Sequence, residues 1–251
     1  KIDLVCGAFS SDRNKSLAIG AELFLPEPRC YKNYEEMMEF ESELPAEERI
    51  DCVSIVTPNL THYDIAMKAL AHGFHVICEK PMTFTLDQAR TLAAEVRKSG
   101  LVFALTHNYT GYPMVRQARA MVRAGELGEI RKIVAEYPQG WLGDAIEGSS
   151  KQAGWRVDPA RAGISCCMGD IGSHAENLTE YVTGLKITEL CADLTAFVPG
   201  RTLDDDGSVL LRFDNGARGV LCASQISVGE GNGLSLRVYG VRGALEWHQE
   251  H

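Results

Sequence analysis

Four short apolar runs, each closing on a polar cluster, constrain most strongly what the first half of this chain can fold into. Ile2 to Phe9 ends at Ser10-Ser11-Asp12, Cys52 to Val56 at Thr57-Pro58-Asn59, His75 to Cys78 at Glu79-Lys80-Pro81, and Val102 to Leu105 at Thr106-His107-Asn108. Runs apolar on both faces suit buried parallel strands better than half-solvated antiparallel ones. The segments between them change to helical spacing. Leu17, Ala18, Ala21 and Leu23 recur on one face, Tyr34 to Leu44 reads as a Glu-rich surface helix, and Ile65, Ala66, Ala69 and Leu70 mark a helix that Gly73 closes. Thr85-Leu86-Asp87-Gln88 is a capping box, and the helix it opens runs to Gly100. Strands alternating with helices imply right-handed crossovers and a doubly wound parallel sheet, whose ligands bind beyond the carboxyl ends of the strands. All four polar clusters fall at such ends.

From about residue 130 the pattern changes. Ile130 to Glu136 is strand-like, Gly140 to Gly163 is Gly-rich and poorly periodic, and Asp170 to Tyr181 reads as a helix. Leu190–Phe197, Ser208–Phe213, Ala217–Ser224, Leu234–Tyr239 and Ala244–Trp247 then follow as strands of a largely antiparallel sheet, with a hairpin turn at Asp214-Asn215-Gly216. The expected architecture is an α/β domain over residues 1–108 and an α+β domain over residues 109–251. They are joined by a strand-to-helix passage rather than a flexible tether. Gly229-Glu230-Gly231-Asn232-Gly233 leads into a strand, lacks the spacing of a phosphate-binding turn, and reads as a loop.

Composition narrows the function. The 251 residues carry 25 Lys and Arg against 34 Asp and Glu, a formal charge of −9, without a long basic cluster. Nucleic acid is therefore a poor partner. No apolar run approaches the ~20 residues of a membrane span, so no membrane partner is expected. Eight scattered cysteines without a CxxC pair read as buried free thiols in a reducing cytoplasm.

Three constellations carry chemistry. Lys80 precedes a proline, which fixes its backbone direction; its ammonium is placed to hydrogen-bond a substrate hydroxyl and support a developing alkoxide. Asp170 and His174, four apart, share a helical face and form an acid/base pair, unless Asp170 merely caps the helix and His174 is a packed histidine. Trp155-Arg156 either packs over a polar ligand or anchors its loop. A metal site built from Cys166 or Cys167 with Asp170 and His174 fits by spacing only, so no metal is expected.

Taken in order, Thr57-Pro58-Asn59 with His62, Glu79-Lys80-Pro81, Thr106-His107-Asn108, Gly125-Glu126-Leu127-Gly128-Glu129-Ile130, Trp155-Arg156 with Asp158-Pro159, and Gly169-Asp170 to His174 resemble the glucose-fructose oxidoreductase/inositol dehydrogenase/MocA-like (Gfo/Idh/MocA) oxidoreductases. The resemblance runs over essentially the whole chain. It implies a Rossmann-type nucleotide-binding domain and a C-terminal domain with an open, mostly antiparallel sheet used for substrate and for homo-oligomer contacts. It implies NAD- or NADP-dependent hydride transfer at a hydroxyl or ketone of a sugar, polyol or cyclitol. A non-catalytic NAD(P)-binding sensor of the same fold is the alternative. By this resemblance Lys80 is the catalytic lysine and Glu79 orients it beside the nicotinamide ribose. His174 is the general base, and Asp170 is its partner and a substrate ligand. Thr57, Pro58, Asn59 and His62 line the cofactor and Asn108 reaches its nicotinamide end, while Tyr109, Trp155 and Arg156 face the substrate. Ser10-Ser11, where an acidic residue commonly meets the ribose, with Arg13 nearby, leave NAD and NADP both open, and Asp12 either serves NAD or caps a helix. Against the family pattern the chain opens at the second strand, lacks the first strand with its Gly-rich pyrophosphate turn, and stops soon after Trp247. It is expected to be a stretch of a longer protein that binds dinucleotide poorly alone. Lys80 and His174 are expected to converge on one pocket.

Overall fold

The computed structural model describes residues 3–250, and the chain divides into two compact units, Lys1–Thr106 and His107–His251. In the first, strands β1 (Cys52–Ile55), β2 (His75–Cys78) and β3 (Phe103–Leu105) form a parallel sheet in that order, Val53 lying opposite Val76 and Val76 opposite Phe103. Parallel neighbours need a crossover. Helix α3 (His62–Ala71) connects β1 to β2, and α4 (Leu86–Ser99) connects β2 to β3. Both halves of the capping box at Thr85 and Gln88 form, and Gly100 ends α4 in the left-handed conformation that a residue without Cβ takes freely. The core joins Val53, Ile55, Val76 and Cys78 of the sheet to Ile65, Ala66, Ala69 and Leu70 of α3 and Leu92 of α4.

Two expectations for this unit change. The run expected as a strand over Ile2–Phe9 forms no ladder in its described part. Only Gly7 pairs, as an isolated parallel bridge to Cys30, while Leu4 and Val5 are exposed. An apolar extended run becomes a strand only where a neighbour accepts its hydrogen bonds, and here the neighbour is the short Arg29–Tyr31 segment, paired through Gly7 alone. Ile2 lies outside the described residues. The Glu-rich helix forms as α2 (Tyr34–Glu43), after α1 (Arg13–Glu22), but it is not purely a surface helix. Met37, Met38 and Glu41 are buried, and the Glu41 carboxylate is satisfied by Arg29 at 2.9 Å, the Tyr31 hydroxyl at 2.7 Å and the Ile50 N–H at 3.2 Å.

Among the described residues the second unit holds six strands: β4 (Ile130–Pro138), β5 (Ile187–Thr195), β6 (Asp206–Phe213), β7 (Arg218–Ser224), β8 (Ser235–Gly240) and β9 (Ala244–His248), in the order β5-β6-β7-β4-β8-β9. Every neighbouring pair is antiparallel except β4 with β7. The β6–β7 hairpin turns at Asp214-Asn215-Gly216 with Gly216 at φ 89°. Helix α5 (Pro113–Arg123) precedes β4. The Gly-rich stretch carries two short helices, α6 (Lys151–Arg156) and α7 (Pro159–Ala162). Ala175, Leu178 and Val182 of α8 (Ser173–Thr183) belong to one core with Ile133, Ala135, Leu211, Leu221 and Leu236 of the sheet. The helix expected from Asp170 begins earlier and differently, as a five-residue π-helical turn, Met168–Gly172, that runs into α8. Among the described residues no helix is long and apolar enough to cross a membrane.

Candidate functional site

In the first unit the polar strand ends are held by short local bonds. After β1, the Thr61 hydroxyl lies 2.7 Å from that of Thr57 and 2.8 Å from the Pro58 carbonyl, leaving Thr57 and Pro58 exposed and Asn59 half-buried. After β2, the Glu79 N–H donates to Ile55 at 2.9 Å, and the Lys80 N–H donates to the Glu79 carboxylate at 3.2 Å. Glu79 and Lys80 are half-buried at the sheet's carboxyl end, and the Lys80–Pro81 peptide is cis. His62 is fully buried, its Nδ1 2.8 Å from the Pro81 carbonyl and its Nε2 2.8 Å from that of Thr57. Its ring ties the β1 turn to the β2 turn. Near α1, the Asp12 carboxylate accepts from the Lys15 N–H at 3.1 Å, so this residue is the helix cap. Ser10 accepts from the Asp12 N–H at 3.2 Å, Ser11 is exposed, and the Arg13 guanidinium donates to the Cys30 carbonyl.

In the second unit, Asp170 sits on the π-helical turn, a form that recurs at functional sites, and His174 in the first turn of α8. Two donors converge on one oxygen of Asp170: Arg156 Nε at 3.0 Å and Gln225 Nε2 at 3.0 Å. The Arg156 guanidinium lies 4.3 Å from the Trp155 ring centroid and 5.8 Å from that of Trp141, and donates to Gln152 at 2.6 Å. His174 is buried among aromatic edges: Tyr109 at 4.8 Å, His107 at 5.8 Å and Tyr137 at 6.5 Å between ring centroids. The Tyr109 hydroxyl bonds that of Tyr137, which donates to Asn232 at 2.7 Å; Gln139 donates to the same Asn232 oxygen at 2.6 Å. Burial and the Tyr109 hydroxyl push the Tyr137 phenol well up, so it stays protonated and donates. Asn108 is exposed at the start of the short 3-10 turn Asn108–Gly111.

The structure thus brings Asp170, Arg156 and Trp155 into one network and sets Tyr109 against His174. Sequence reasoning missed Gln225, Trp141, Tyr137, Asn232 and Asp204, the last of which accepts from the Cys166 N–H at 3.0 Å and the Met168 N–H at 2.7 Å. Asn232 lies in the Gly-rich segment read as a loop, which is a loop. Nothing local marks Gln225; only its contact across 55 residues shows its place. Burial, with the charges of Asp170 and Asp204, pushes the Cys166 thiol up to about 12, and burial raises Cys167 further. Among the described residues no group of three or more His, Cys, Asp or Glu side chains is placed to hold a metal ion.

Residues 4–120 match the family described as "Oxidoreductase family, NAD-binding Rossmann fold", and residues 115–246 match the GFO/IDH/MocA C-terminal domain. The chain is 38% identical over 250 residues to the uncharacterized oxidoreductase YfiI of Bacillus subtilis, covering 97% of this chain and 62% of that protein. A solved inositol dehydrogenase homolog from Azotobacter vinelandii, complexed with NAD+, superposes with a TM-score of 0.95 at 38% identity, covering 99% of this chain and 64% of that one. Its complex with NADH and myo-inositol gives 0.90 at 36% identity, covering 99% and 63%. The chain spans less than two thirds of the length of these relatives.

Proposed function

Because this chain belongs to the Gfo/Idh/MocA oxidoreductase family, we propose that it serves an NAD(P)-dependent dehydrogenase that moves hydride between the nicotinamide and a hydroxyl or ketone of a sugar, polyol or cyclitol. The observation that carries this reading is the Asp170–His174 arrangement: an imidazole enclosed by aromatic rings, four residues along the chain from a carboxylate gripped by two donors. The cofactor fits the first unit on its own terms. Three parallel strands end together in an open polar row, the arrangement that suits a dinucleotide beyond a parallel sheet. Thr57, Pro58 and Asn59 would hold it, with Glu79 and Lys80 at the nicotinamide and Asn108 reaching that end. His62 serves by fixing the two turns. Bound nicotinamide supplies the hydride acceptor or donor.

In this reading the Lys80 ammonium donates a hydrogen bond to the reacting oxygen and stabilises negative charge as it grows there. His174 takes the hydroxyl proton at an imidazole nitrogen whose ring the Tyr109 edge holds in place. Asp170, tied to Arg156, keeps a fixed acceptor for a neighbouring substrate hydroxyl. The Arg156 guanidinium over two indoles gives the substrate side a flat amphipathic wall, which suits a sugar or cyclitol ring. Arg13 gives one of its five N–H donors to the Cys30 carbonyl and keeps the rest, so the Ser10-Ser11 end suits NAD or NADP. Strand β5 is exposed at every position but its two ends, and Leu210 on β6 is exposed beside it, which supports a homo-oligomer that covers this surface. Eight unpaired cysteines support a reducing, cytoplasmic location.

The test uses the natural full-length protein with Lys80→Met and His174→Asn, assayed for NAD(P) reduction on a panel of sugars and cyclitols. Each variant is expected to lose about 10²–10⁴ in kcat, and His174→Asn to bind NADH as wild type does. Undiminished turnover in either variant refutes the mechanism, and tight cofactor binding without turnover by wild type identifies a sensor.

A further inference from the structure

Gln225, the residue after β7, has no exposed surface, and its backbone is pinned on both sides. Its N–H donates to Asp205 at 2.9 Å and its carbonyl accepts from Leu142 at 3.0 Å. From this fixed point the two ends of its amide face different partners. Nε2 donates to Asp170 Oδ2 at 3.0 Å, and Oε1 lies 3.4 Å from Cys166 Sγ. A carboxamide turned over end for end keeps its shape, so its orientation is decided by what each end meets. A carboxylate only accepts; a carbonyl turned toward it sets two acceptors face to face. At the other end the Cys166 thiol, pushed up to about 12 by burial and nearby carboxylates, remains S–H at neutral pH and is a donor. The carboxylate selects the orientation and the thiol, a weak donor, matches it: the one that gives Asp170 an N–H from its buried side.

We propose that Gln225 is a positioning residue for Asp170 and that the Cys166 thiol, donating to its carbonyl end, reinforces the direction of its amide. The relay rests on the reading of Asp170 as a substrate-hydroxyl ligand beside His174. It complements Arg156, which grips the same oxygen from the partly exposed side, with the Arg156 side chain 22% and the Asp170 side chain 17% accessible. Arg156 is within reach of solvent and substrate; Gln225 is not, so the carboxylate keeps one donor that neither displaces.

The experiment measures kcat, KM for a polyol substrate, NADH affinity and the pH profile of kcat/KM on the natural full-length protein. Gln225→Leu is expected to lower kcat/KM about 10- to 100-fold, the cost of one hydrogen bond to a charged group, with NADH affinity unchanged. Gln225→Glu sets a second carboxyl against Asp170, and the pair shares a proton. Relative to wild type at the same pH, this variant is expected to be most active toward acid pH, where the introduced carboxyl is protonated and donates in place of the amide, and to fall away as pH rises. A merely structural defect lowers activity at every pH. Cys166→Ser, which keeps a donor, is expected to stay close to wild type and above Cys166→Ala, a comparison that stands even if the Gln225 variants fold poorly. Gln225→Leu within twofold of wild type, an unaltered profile in Gln225→Glu, or equal activity of the two Cys166 variants overturns the relay. Full activity in Asp170→Asn instead overturns the reading of the site beneath it.

Discussion

Replacing Asp204 tests how the π-helical turn is held. Its carboxylate accepts two backbone N–H groups, those of Cys166 at 3.0 Å and Met168 at 2.7 Å, and the residue is only 8% exposed. Asp204→Ala leaves both N–H groups without the acceptor, and a buried donor so stranded costs about 2 kcal/mol. The sum is about 4 kcal/mol, roughly a thousandfold in the unfolding equilibrium. Asp204→Asn keeps one acceptor oxygen and turns an amide N–H toward the other donor, so it is expected to lose about 2 kcal/mol or somewhat more. The assay is built into the sequence. All three tryptophans, Trp141, Trp155 and Trp247, lie in the unit of residues 107–251, so tryptophan emission during urea unfolding follows the unit that holds the turn. With a denaturant slope of about 2 kcal/mol per molar, the midpoint falls by about 2 M for alanine and about 1 M for asparagine. A shift of less than about 0.3 M for the alanine variant refutes the reasoning. Equal losses for the two variants transfer the effect from hydrogen-bond count to charge.

Three further outcomes are expected. His62→Phe keeps an aromatic of similar size but frees the Thr57 and Pro81 carbonyls, and is expected to cost about 2–4 kcal/mol in the first unit; unchanged thermal melting by circular dichroism would count against the staple. Gly240→Ala places a Cβ 2.1 Å from the Leu127 carbonyl oxygen, backbone against backbone, and is expected to cost about 3 kcal/mol or more, read as lost soluble yield and a lower urea midpoint. For Glu147, burial works to raise the carboxyl, but a backbone hydrogen bond and the Arg201 guanidinium 2.6 Å away outweigh it and hold it below its ordinary 4.5. A carboxyl lower in the folded state than in the unfolded one stabilises above the unfolded value and loses that contribution as pH falls through the folded one. The stability advantage of wild type over Glu147→Gln is therefore expected in full at neutral pH and to shrink as pH falls below the ordinary 4.5 and through the lower folded value; an advantage that does not shrink on acidification is incompatible with the assignment.

The parallel strands β1, β2 and β3 and the helices between them were legible because each carries its own local signal: an apolar run, a periodic face, a capping residue. The capping box at Thr85 is satisfied by atoms three residues apart and so is visible in four letters. The Ile2–Phe9 run carries the same apolar signal without forming a ladder in its described part, because a strand is a relation between two segments and the run shows only one of them. The proposed functional residues divide the same way. Lys80, Asp170 and His174 stand out by residue type at strand ends and helical spacing. Gln225 and Asp204 do not, since their partners lie 55 and 36 to 38 residues away and their roles exist only after β6 and β7 have paired.

That division has a physical origin in the turn itself. A π-helical turn is poorly bonded, and a five-residue stretch of it persists only where surrounding groups over-determine it. Here Asp204 binds two N–H groups at its start, the Ser165 hydroxyl accepts from the Gly169 N–H at 2.8 Å, and Gly207 of β6 leaves room for Met168, whose sulfur would stand 2.7 Å from any Cβ there. Each of these groups holds the backbone of the turn, whereas Arg156 and Gln225 hold the Asp170 carboxylate it carries. The two sets separate by effect. Loss of a backbone brace is expected to lower stability and activity together, whereas loss of a carboxylate brace lowers turnover in a unit whose unfolding midpoint moves little. Should Asp204 and Gln225 variants prove to move both quantities in the same proportion, the turn and its carboxylate are one cooperative element and the distinction between them fails.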